Sequence, residues 1–323
     1  MLDFFLYLIF RASLSLLHIL PFRVISLIGT VTGSAYYFID KSRRRIINAN
    51  ICVVFGRNLD NKARKALGRK SSGQLVTHIL ELLKLHKVAN CDNYRTFIEI
   101  TGLSHLMSST QKGRGTLAVT GHFGNFVLLR YVCCLAIPPR GAVIRKLDNP
   151  YFERFFQSIV AAHHAITIRP DGAILKMNKL LQHNTVLATL ADQKAGGNPR
   201  VGRHGIVVDF FGLPSQTHVT APLLARRTGA DILPVFVVRS CPGKYRIEIN
   251  EPLKLVHTSS EAHDLKENTR KLNQIFERYI NEYPTHWFWL HRRWKDIPGL
   301  ENLYRTRNPL NLLERFKKIT YIK

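Results

Sequence analysis

One histidine stands at a glycine-rich corner between two apolar runs, and its position could support chemistry. The corner reads Gly121-His122-Phe123-Gly124-Asn125; the run before it is typical of a strand and the run after it of a helix. A strand that enters a helix through glycines exposes one side chain and several backbone N–H groups at the end of a sheet. His122 is the only titratable group at the corner, which makes it a candidate general base. A histidine that caps a helix or fills a turn would give the same pattern.

Segments typical of strands alternate with helical patterns from residue 97 onward. The predicted strands are 97–100, 116–120, 142–144, 185–190, 206–210, 232–238 and 245–249, and the helices between them are 124–135, 149–163, 171–182 and 218–228. This alternation predicts an α/β fold with a mainly parallel central sheet flanked by helices. Ligands bind beyond the carboxyl ends of such strands. His122, Arg145 and Asp192 each follow a predicted strand, so we expect them at one sheet edge.

The charge of the chain restricts its partners. Lys and Arg number 47 against 22 Asp and Glu, a formal net charge of +25, which favours anionic lipids, acidic proteins or nucleic acid. No zinc-finger spacing and no RNA-binding aromatic signature is present, so nucleic acid is not expected. The five cysteines show no metal or redox spacing, and we expect reduced thiols in a cytoplasm-facing domain.

The N-terminal residues are apolar enough to meet a membrane. An apolar stretch over residues 2–20 is interrupted by Arg11, and a second one, 24–39, ends before the basic run 41–45. Basic residues after an apolar segment favour a cytoplasmic flank. We predict a membrane anchor over residues 1–41, spanning or merely inserted; a pair of amphipathic helices packed on the domain is the alternative. Residues 43–88 have a helical pattern, with Asp60 as a plausible N-cap.

The C-terminal part combines aromatic and basic residues. All three tryptophans lie between residues 286 and 295, beside Arg292 and Arg293. Indole and guanidinium groups suit the headgroup layer of a membrane, and a cap of buried aromatics is the alternative. Residues 310–322 carry apolar and basic positions on different sides of a predicted helix. The predicted domains are therefore the anchor 1–41, an α/β domain 42–300 and a basic amphipathic tail 301–323.

Five blocks of the chain together resemble one protein family. The corner followed by an aromatic is similar to the His-x4-acid motif of the lipid A late acyltransferases, a branch of the lysophospholipid acyltransferase group. The other blocks occur in the family's order: 143–150, 190–193, 209–214 and 289–295. The family's acid falls at Val127, which can neither accept a hydrogen bond from imidazole nor stabilise imidazolium.

The resemblance implies a reaction and its location. A fatty acyl group would move from a thioester, on acyl carrier protein or coenzyme A, to a hydroxyl of a lipid A precursor or related glycolipid. The enzyme would work at the cytoplasmic face of the bacterial inner membrane, with no metal and no cofactor besides the thioester co-substrate. His122 would be the base. Arg145, or the backbone N–H groups around Gly124 and Asn125, would stabilise the oxyanion.

Three outcomes remain open for the missing acid. Asp192 could orient His122 from the end of its own strand, although it could equally cap a helix. His122 could act alone and slowly. The chain could also be a silent paralogue that binds lipid or carrier protein without turnover.

Basic and aromatic residues elsewhere are candidates for substrate binding. A glycine-rich basic loop after Asp192 could wrap a phosphorylated headgroup, and an aromatic pair after a strand could line an acyl channel; a flexible loop and ordinary core packing are the alternatives. The candidate substrate-binding residues are Gly124, Asn125, Lys146, Lys194, Arg200, Arg203, Phe211, Arg292 and Arg293.

Overall fold

The computed structural model describes residues 2–134, 140–143, 149–160, 166–195, 205–295 and 297–321. In chain order the helices and strands are α1 (Leu2–Ile19), α2 (Phe22–Ile39), α3 (Lys41–Phe55), α4 (Asn61–Val88), β1 (Ile98–Thr101), α5 (Leu103–Gln111), β2 (Thr116–Thr120), β3 (Arg140–Val143), α6 (Pro150–Val160), β4 (Ile166–Ile168), α7 (Ala173–Gln182), β5 (Val186–Leu190), β6 (Gly205–Phe210), β7 (Leu213–His218), α8 (Thr220–Thr228), β8 (Asp231–Cys241), β9 (Lys244–Ile249), α9 (Glu261–Glu282) and α10 (Pro309–Tyr321). Short 3₁₀ helices cover Gly56–Asn58, Tyr94–Thr96 and Phe126–Cys134.

The chain divides into two compact units. The first comprises Met1–Ile28, Thr77–Leu190 and Thr220–Lys254, and the second comprises Gly29–Val76, Ala191–Val219 and Leu255–Lys323. The first unit contains His122 and the second contains Asp192. The predicted division at residues 41 and 300 concerns membrane association and stays a prediction.

A seven-stranded sheet organises the described part of the first unit. Its strand order is β1-β9-β8-β2-β5-β3-β4, and each neighbouring pair is parallel except β8 with β9. Thr120 at the end of β2 is the Cα partner of Leu190 at the end of β5. Most residues of β2 and β8 are buried, as expected for parallel strands covered on both faces. The predicted α/β fold with a mainly parallel sheet is confirmed.

Apolar side chains of the sheet and of α4 form the core beneath the histidine corner. Leu233 of β8 and Leu85 of α4 have no exposed surface. Leu128 and Tyr131, from the 3₁₀ helix that follows the corner, belong to the same cluster. Full burial of an apolar side chain of this size stabilises a fold by about 1.5–3 kcal/mol. The segment after the corner is thus fixed by the core of the first unit.

The first helix is attached to the rest of the first unit. Tyr7 of α1 stacks on Tyr151 of α6, with ring centroids 5.6 Å apart. Lys84 Nζ of α4 donates to His18 O at 3.1 Å, near the end of α1. A cation at a helix C-terminus is favoured by the helix dipole.

α1 and α2 also expose large apolar side chains. The exposed residues are Leu6, Leu8, Ile9, Leu16 and Ile19 of α1 and Val24, Leu27, Ile28, Val31, Phe38 and Ile39 of α2. Phe22–Ile39 is long and apolar enough to cross a membrane, with a mean hydropathy of 1.2 and 22% of the segment buried. The apolar stretch of α1, Leu6–Ile19, is shorter than a spanning segment.

The second unit is built around the antiparallel hairpin β6–β7. Phe210 of β6 stacks on Trp294 at a centroid distance of 5.7 Å and lies edge-on to Trp287 at 5.9 Å. Trp287, Trp289 and Trp294 are all buried. The structure therefore favours the alternative in which the tryptophan segment is an aromatic core.

A buried amide ties α3 to that segment. Asn50 Nδ2 donates to Trp289 O at 2.6 Å and to His291 O at 2.8 Å, while Asn50 Oδ1 accepts from Tyr304 Oη at 2.9 Å. Asn50 has no exposed surface. Its amide satisfies polar groups in a largely buried environment, which is the condition for burying them.

α10, within the predicted tail 301–323, lies on α3 in the second unit. Leu313 is buried, and Glu314 Oε1 accepts from Arg57 Nε at 2.7 Å. A cavity of about 170 Å³ beside this contact is lined in part by Cys52 and Leu213. The interfacial role of the tail stays a prediction.

Several elements differ from the sequence prediction. The predicted helix 124–135 is a 3₁₀ helix over Phe126–Cys134, and the predicted strand 206–210 forms β6 of the separate hairpin. α5, β4, β7 and α9 were not predicted. β4 has three residues, which is too short for a periodic signal, and α9 buries polar residues such as Asp264 and Asn273. The Asp60 cap is confirmed, since Asp60 Oδ1 accepts from Ala63 N at 2.7 Å.

The cysteines correct one expectation. Cys52 and Cys241 are free thiols, but Cys91 is disulfide-bonded. The expectation of reduced thiols is therefore wrong at Cys91. A single cysteine without a neighbour in the sequence carries no spacing signal, so the pattern could not show this pairing.

We expect Asn50→Ala to lower the free energy of unfolding by about 2 kcal/mol or more, because it leaves one buried carbonyl, one partly buried carbonyl and one buried hydroxyl without their partner. Thermal melting followed by circular dichroism measures the loss. Asn48→Ala on the same helix is the matched control, since half-buried Asn48 Oδ1 accepts only one described bond, from Tyr37 Oη at 2.8 Å. Equal losses in the two variants would contradict this role of Asn50.

Candidate active site

The histidine corner follows β2 directly. Phe123 is completely buried and lies edge-on to Phe236 of β8, with centroids 5.4 Å apart. His122 is half-buried, and its ring lies edge-on to Phe126 at 5.3 Å. Gly124 has a φ of +56°, a left-handed conformation that a residue with a Cβ rarely adopts. Phe123 thus anchors the turn in the core, and the glycine allows the chain to reverse.

A 3₁₀ helix starts immediately after this turn. Its first hydrogen bond runs from Leu128 N to Asn125 O at 2.9 Å. The leading N–H groups of a helix have no carbonyl partner within the helix, and they carry partial positive charge. The backbone around Gly124 and Asn125 is therefore chemically suited to stabilise a developing oxyanion.

Asn125 itself is directed into the protein. It is buried, and its Nδ2 donates to His78 O at 2.9 Å and to Tyr245 Oη at 3.4 Å. Both donors of the amide are used in these bonds. Asn125 was predicted as a substrate-binding residue, but its side-chain NH₂ group is used for structural hydrogen bonds. Only its backbone stays a candidate for substrate binding.

Arg130 fixes the middle of the 3₁₀ helix to α4. Its Nη1 donates to His86 Nδ1 at 3.1 Å and to Ile159 O, and its Nη2 donates to Tyr131 Oη at 2.8 Å. Burial, and to a lesser extent the neighbouring Arg130, His18 and Lys87 charges, lower the pKa of His86 to about 4. His86 is thus a neutral acceptor at physiological pH.

Asp192, the predicted acid, lies in the second unit and is buried. Its Oδ2 accepts from Trp287 Nε1 at 2.9 Å. The side chain of Arg293 is attracted electrostatically to Asp192, although burial is the larger effect and lowers the pKa of Arg293 to about 10. Contacts with Trp287 and Arg293 are those expected of a carboxylate that stabilises the fold, which is the alternative to a catalytic role for Asp192.

Arg293, a predicted headgroup ligand, has no exposed surface. It donates from Nη1 to Gln216 O at 2.5 Å and from Nη2 to Thr217 Oγ1 at 2.6 Å. Its guanidinium also lies 5.0 Å from the centre of the Phe210 ring. The neighbouring Arg292 is exposed, so it is the residue of this pair that a ligand reaches directly.

Six further residues were predicted to take part in the site, and the structure describes two of them, Lys194 and Phe211. Lys194 N donates to His291 Nε2 at 3.0 Å, and burial lowers the pKa of the Lys194 amine, with Lys295 adding to the effect. Phe211 has a φ of +55°, and its N–H donates to Glu277 Oε1 at 2.6 Å. Arg145, Lys146, Arg200 and Arg203 lie outside the described residues.

The sequence did not point to Glu81, Arg239 or Tyr245. Tyr245 hydrogen-bonds to both Asn125 and Glu81, and Arg239 pairs with Glu81. One signal was present: Glu81 interrupts the apolar stretch Ile79-Leu80-Glu81-Leu82-Leu83, and a charge on such a helical face needs a buried partner. Among the described residues, no three His, Cys, Asp or Glu side chains are grouped so as to hold a metal ion.

Comparison with known proteins gives a consistent result. A family model described as bacterial lipid A biosynthesis acyltransferase matches residues 1–296. The chain is 24% identical over 294 residues to a lipid A biosynthesis lauroyltransferase of Escherichia coli (strain K12), and 23% identical over 297 residues to a lipid A biosynthesis palmitoleoyltransferase of the same strain; each match covers 88% of this chain and 90% of the relative. A lipid A biosynthesis acyltransferase of Haemophilus influenzae is 27% identical over 207 residues, 62% of this chain and 61% of the relative.

The low pKa of His86 gives a pH prediction. The unfolded chain binds a proton at this residue below about pH 6.5 and the folded chain only near pH 4, so stability should fall as the pH falls from about 6.5 to about 4. We expect His86→Gln to reduce this slope, measured as the denaturation midpoint at several pH values. His183→Gln, at an exposed histidine of the same unit, should keep the wild-type slope. An unchanged slope in His86→Gln would contradict the prediction.

Proposed function

Because the chain belongs to the bacterial lipid A biosynthesis acyltransferase family, we propose that it transfers a fatty acyl group from a thioester to a hydroxyl of a lipid A precursor, using the His122 corner. The observation that carries the proposal is this half-buried imidazole after β2, next to the start of a helix. The substrate class follows the family; the acyl donor and the roles of single residues are proposed here.

The proposed mechanism needs one base and one oxyanion site. His122 accepts the hydroxyl proton while the lipid oxygen attacks the thioester carbonyl carbon. Backbone N–H groups near Gly124 and Asn125, with Arg145, stabilise the oxyanion. The C–S bond then breaks, and the leaving thiolate takes the proton from the imidazolium. Transfer is direct, so no acyl-enzyme is formed, and we propose the thioester as the sole co-substrate.

Asp192 is the candidate for the acid that Val127 does not supply. It comes two residues after β5, as His122 comes two residues after β2. Orientation of a histidine by a carboxylate is worth about 10⁴ in rate in serine proteases. If the backbone of the corner already orients the His122 ring, Asp192 needs to contribute less than this to the rate.

A catalytically silent paralogue is the second candidate function. Val127 at the family's acid position favours it, since a valine leaves the motif without its hydrogen-bond acceptor. Such a protein would bind lipid or acyl carrier protein without turnover.

We propose an acyl carrier protein or coenzyme A thioester as the donor. The chain carries a formal net charge of +25, and an excess of positive charge attracts acidic carriers and phosphorylated headgroups. Proposed headgroup ligands are Lys146, Lys194, Arg200, Arg203 and Arg292, and Phe211 is proposed for the acyl chain. Arg293 is not proposed, because its guanidinium is buried and bound to β7.

We further propose that the protein sits on the cytoplasmic face of the bacterial inner membrane. The exposed apolar residues of α1 and α2 support this, as does the basic run that starts at Lys41, two residues after the end of α2.

His122→Gln should lower kcat/KM for acyl transfer by about 10²–10⁴, because the hydroxyl would lose its base. The assay uses the purified chain, a labelled acyl thioester and a lipid A precursor, with products identified by mass spectrometry. His183→Gln is the matched control and should keep the wild-type rate. Equal rates for wild type and His122→Gln would exclude the proposed base.

Asp192→Asn separates the two roles of this residue in the same assay. The asparagine oxygen still accepts from Trp287 Nε1, so the fold persists, and a catalytic role predicts a loss of at least about tenfold. Trp287→Phe removes the same bond but keeps the carboxylate. If Asp192→Asn retains the full rate while Trp287→Phe lowers only the melting temperature, Asp192 is structural.

Leu16→Ser combined with Leu27→Ser should weaken binding to vesicles containing anionic lipid by about tenfold, since both side chains are more than half exposed and would lose apolar contact with the membrane. Vesicle co-sedimentation measures the bound fraction. Leu175→Ser with Val207→Ser, equally exposed on α7 and β6, is the control and should bind like wild type. Equal weakening by both pairs would show that these helices are not the membrane contact.

A further inference from the structure

Glu81 is a carboxylate with no exposed surface, carried by α4 in the first unit. Removing an ion from water is strongly unfavourable unless partners in the protein replace the lost hydration. All of its described partners come from the β8–β9 hairpin and the turn between these strands. Glu81 therefore joins α4 to this part of the sheet.

The carboxylate of Glu81 is satisfied on both oxygens. Arg239 Nη2 donates to Oε1 at 2.6 Å and Arg239 Nε to Oε2 at 2.9 Å, which is a bidentate pair. Gly243 N donates to Oε1 at 3.2 Å. Tyr245 Oη donates to Oε2 at 2.6 Å. A fork of this kind fixes both direction and distance.

The direction of the Tyr245 bond determines what its oxygen offers on the other side. Its proton is directed at Glu81, and both burial and the Glu81 charge raise the pKa of Tyr245, so the hydroxyl stays protonated. The lone pairs of the oxygen are then available to Asn125 Nδ2, at 3.4 Å. Asn125 Nδ2 also donates to His78 O, three residues before Glu81 on α4.

Asn125 transmits this arrangement to the corner. It lies three residues after His122, and its carbonyl accepts the first hydrogen bond of the 3₁₀ helix. Its side chain and its backbone thus connect the charge pair to the turn that carries the imidazole. A displacement of about 1 Å in such a turn is enough to lower a rate by about 10².

We propose that Glu81, Arg239 and Tyr245 are positioning residues that act through Asn125 to hold the His122 corner in the geometry required for acyl transfer. The inference rests on the proposed function for its effect on rate. The effect of these residues on the surroundings of the His122 ring does not depend on whether the protein turns over a substrate.

Tyr245→Phe is the direct test, because it removes the hydroxyl between Glu81 and Asn125 and keeps the ring. We expect kcat to fall by about 10- to 100-fold with KM changed less than about twofold. Tyr131→Phe is the matched control: Tyr131 is equally buried, and its hydroxyl shares its proton between Leu85 O and Ala89 O at the end of the same helix α4. The control should stay within about threefold of the wild-type kcat.

A double-mutant cycle tests whether Tyr245 acts through Asn125. The double variant Asn125→Ala/Tyr245→Phe should have the same kcat as Asn125→Ala alone. Once the Asn125 side chain is gone, the Tyr245 hydroxyl has no hydrogen bond to the corner that its removal could break. Additive losses, or a loss in Tyr131→Phe equal to that in Tyr245→Phe, overturn the proposal.

The ¹H–¹³C resonance of the His122 ring, assigned with His122→Gln, gives a readout that needs no activity. Tyr245→Phe and Asn125→Ala should shift this resonance, and Tyr131→Phe should not. If wild type transfers no acyl group and the resonance shifts as expected, the proposed function fails while the positioning role stands. If the resonance is unchanged in Tyr245→Phe, the positioning role is wrong whatever the rate.

Discussion

The pairing of Glu81 with Arg239 is the interaction on which the candidate site depends. A carboxylate without exposed surface tolerates no missing partner, so α4, β8 and β9 must assemble in one arrangement for the charge to be buried. Tyr245 is part of that arrangement and also accepts from Asn125. The conformation of the corner is therefore decided by the whole first unit and not only by its glycines.

Much of the fold was predictable because its signals are local. The apolar run of β2, the glycine corner and the alternation of strands with helices gave the α/β architecture, and Asp60 gave a helix start. The 3₁₀ form of Phe126–Cys134 was not predictable, since the apolar spacing of a short segment fits an α-helix equally well. β4 and β7 were missed because one is very short and the other, Leu-Pro-Ser-Gln-Thr-His, has a polar turn-like composition.

The candidate site was likewise predictable only where its signals are local in the sequence. His122 was found from its corner, whereas Glu81 and Tyr245 are 164 residues apart in the chain, so no spacing connects them. Burial was the other missing quantity: Arg293 and the tryptophans looked like membrane or headgroup ligands, yet they are inside the second unit. An arginine in a sequence does not reveal whether its guanidinium binds a ligand or, like that of Arg293, a backbone carbonyl and a hydroxyl of a hairpin.

The exchange of the family's acid for Val127 makes turnover the central claim. We expect activity because, in the positioning role proposed above, the buried Glu81–Arg239 pair holds the corner through Tyr245 and Asn125 without a carboxylate in the same motif. The most direct measurement is acyl transfer to a lipid A precursor by wild type and by Val127→Glu, with the product mass as readout. We predict turnover by wild type, with a rate for Val127→Glu within about tenfold of the wild-type rate. No product from wild type together with product from Val127→Glu would contradict the account and identify a silent paralogue.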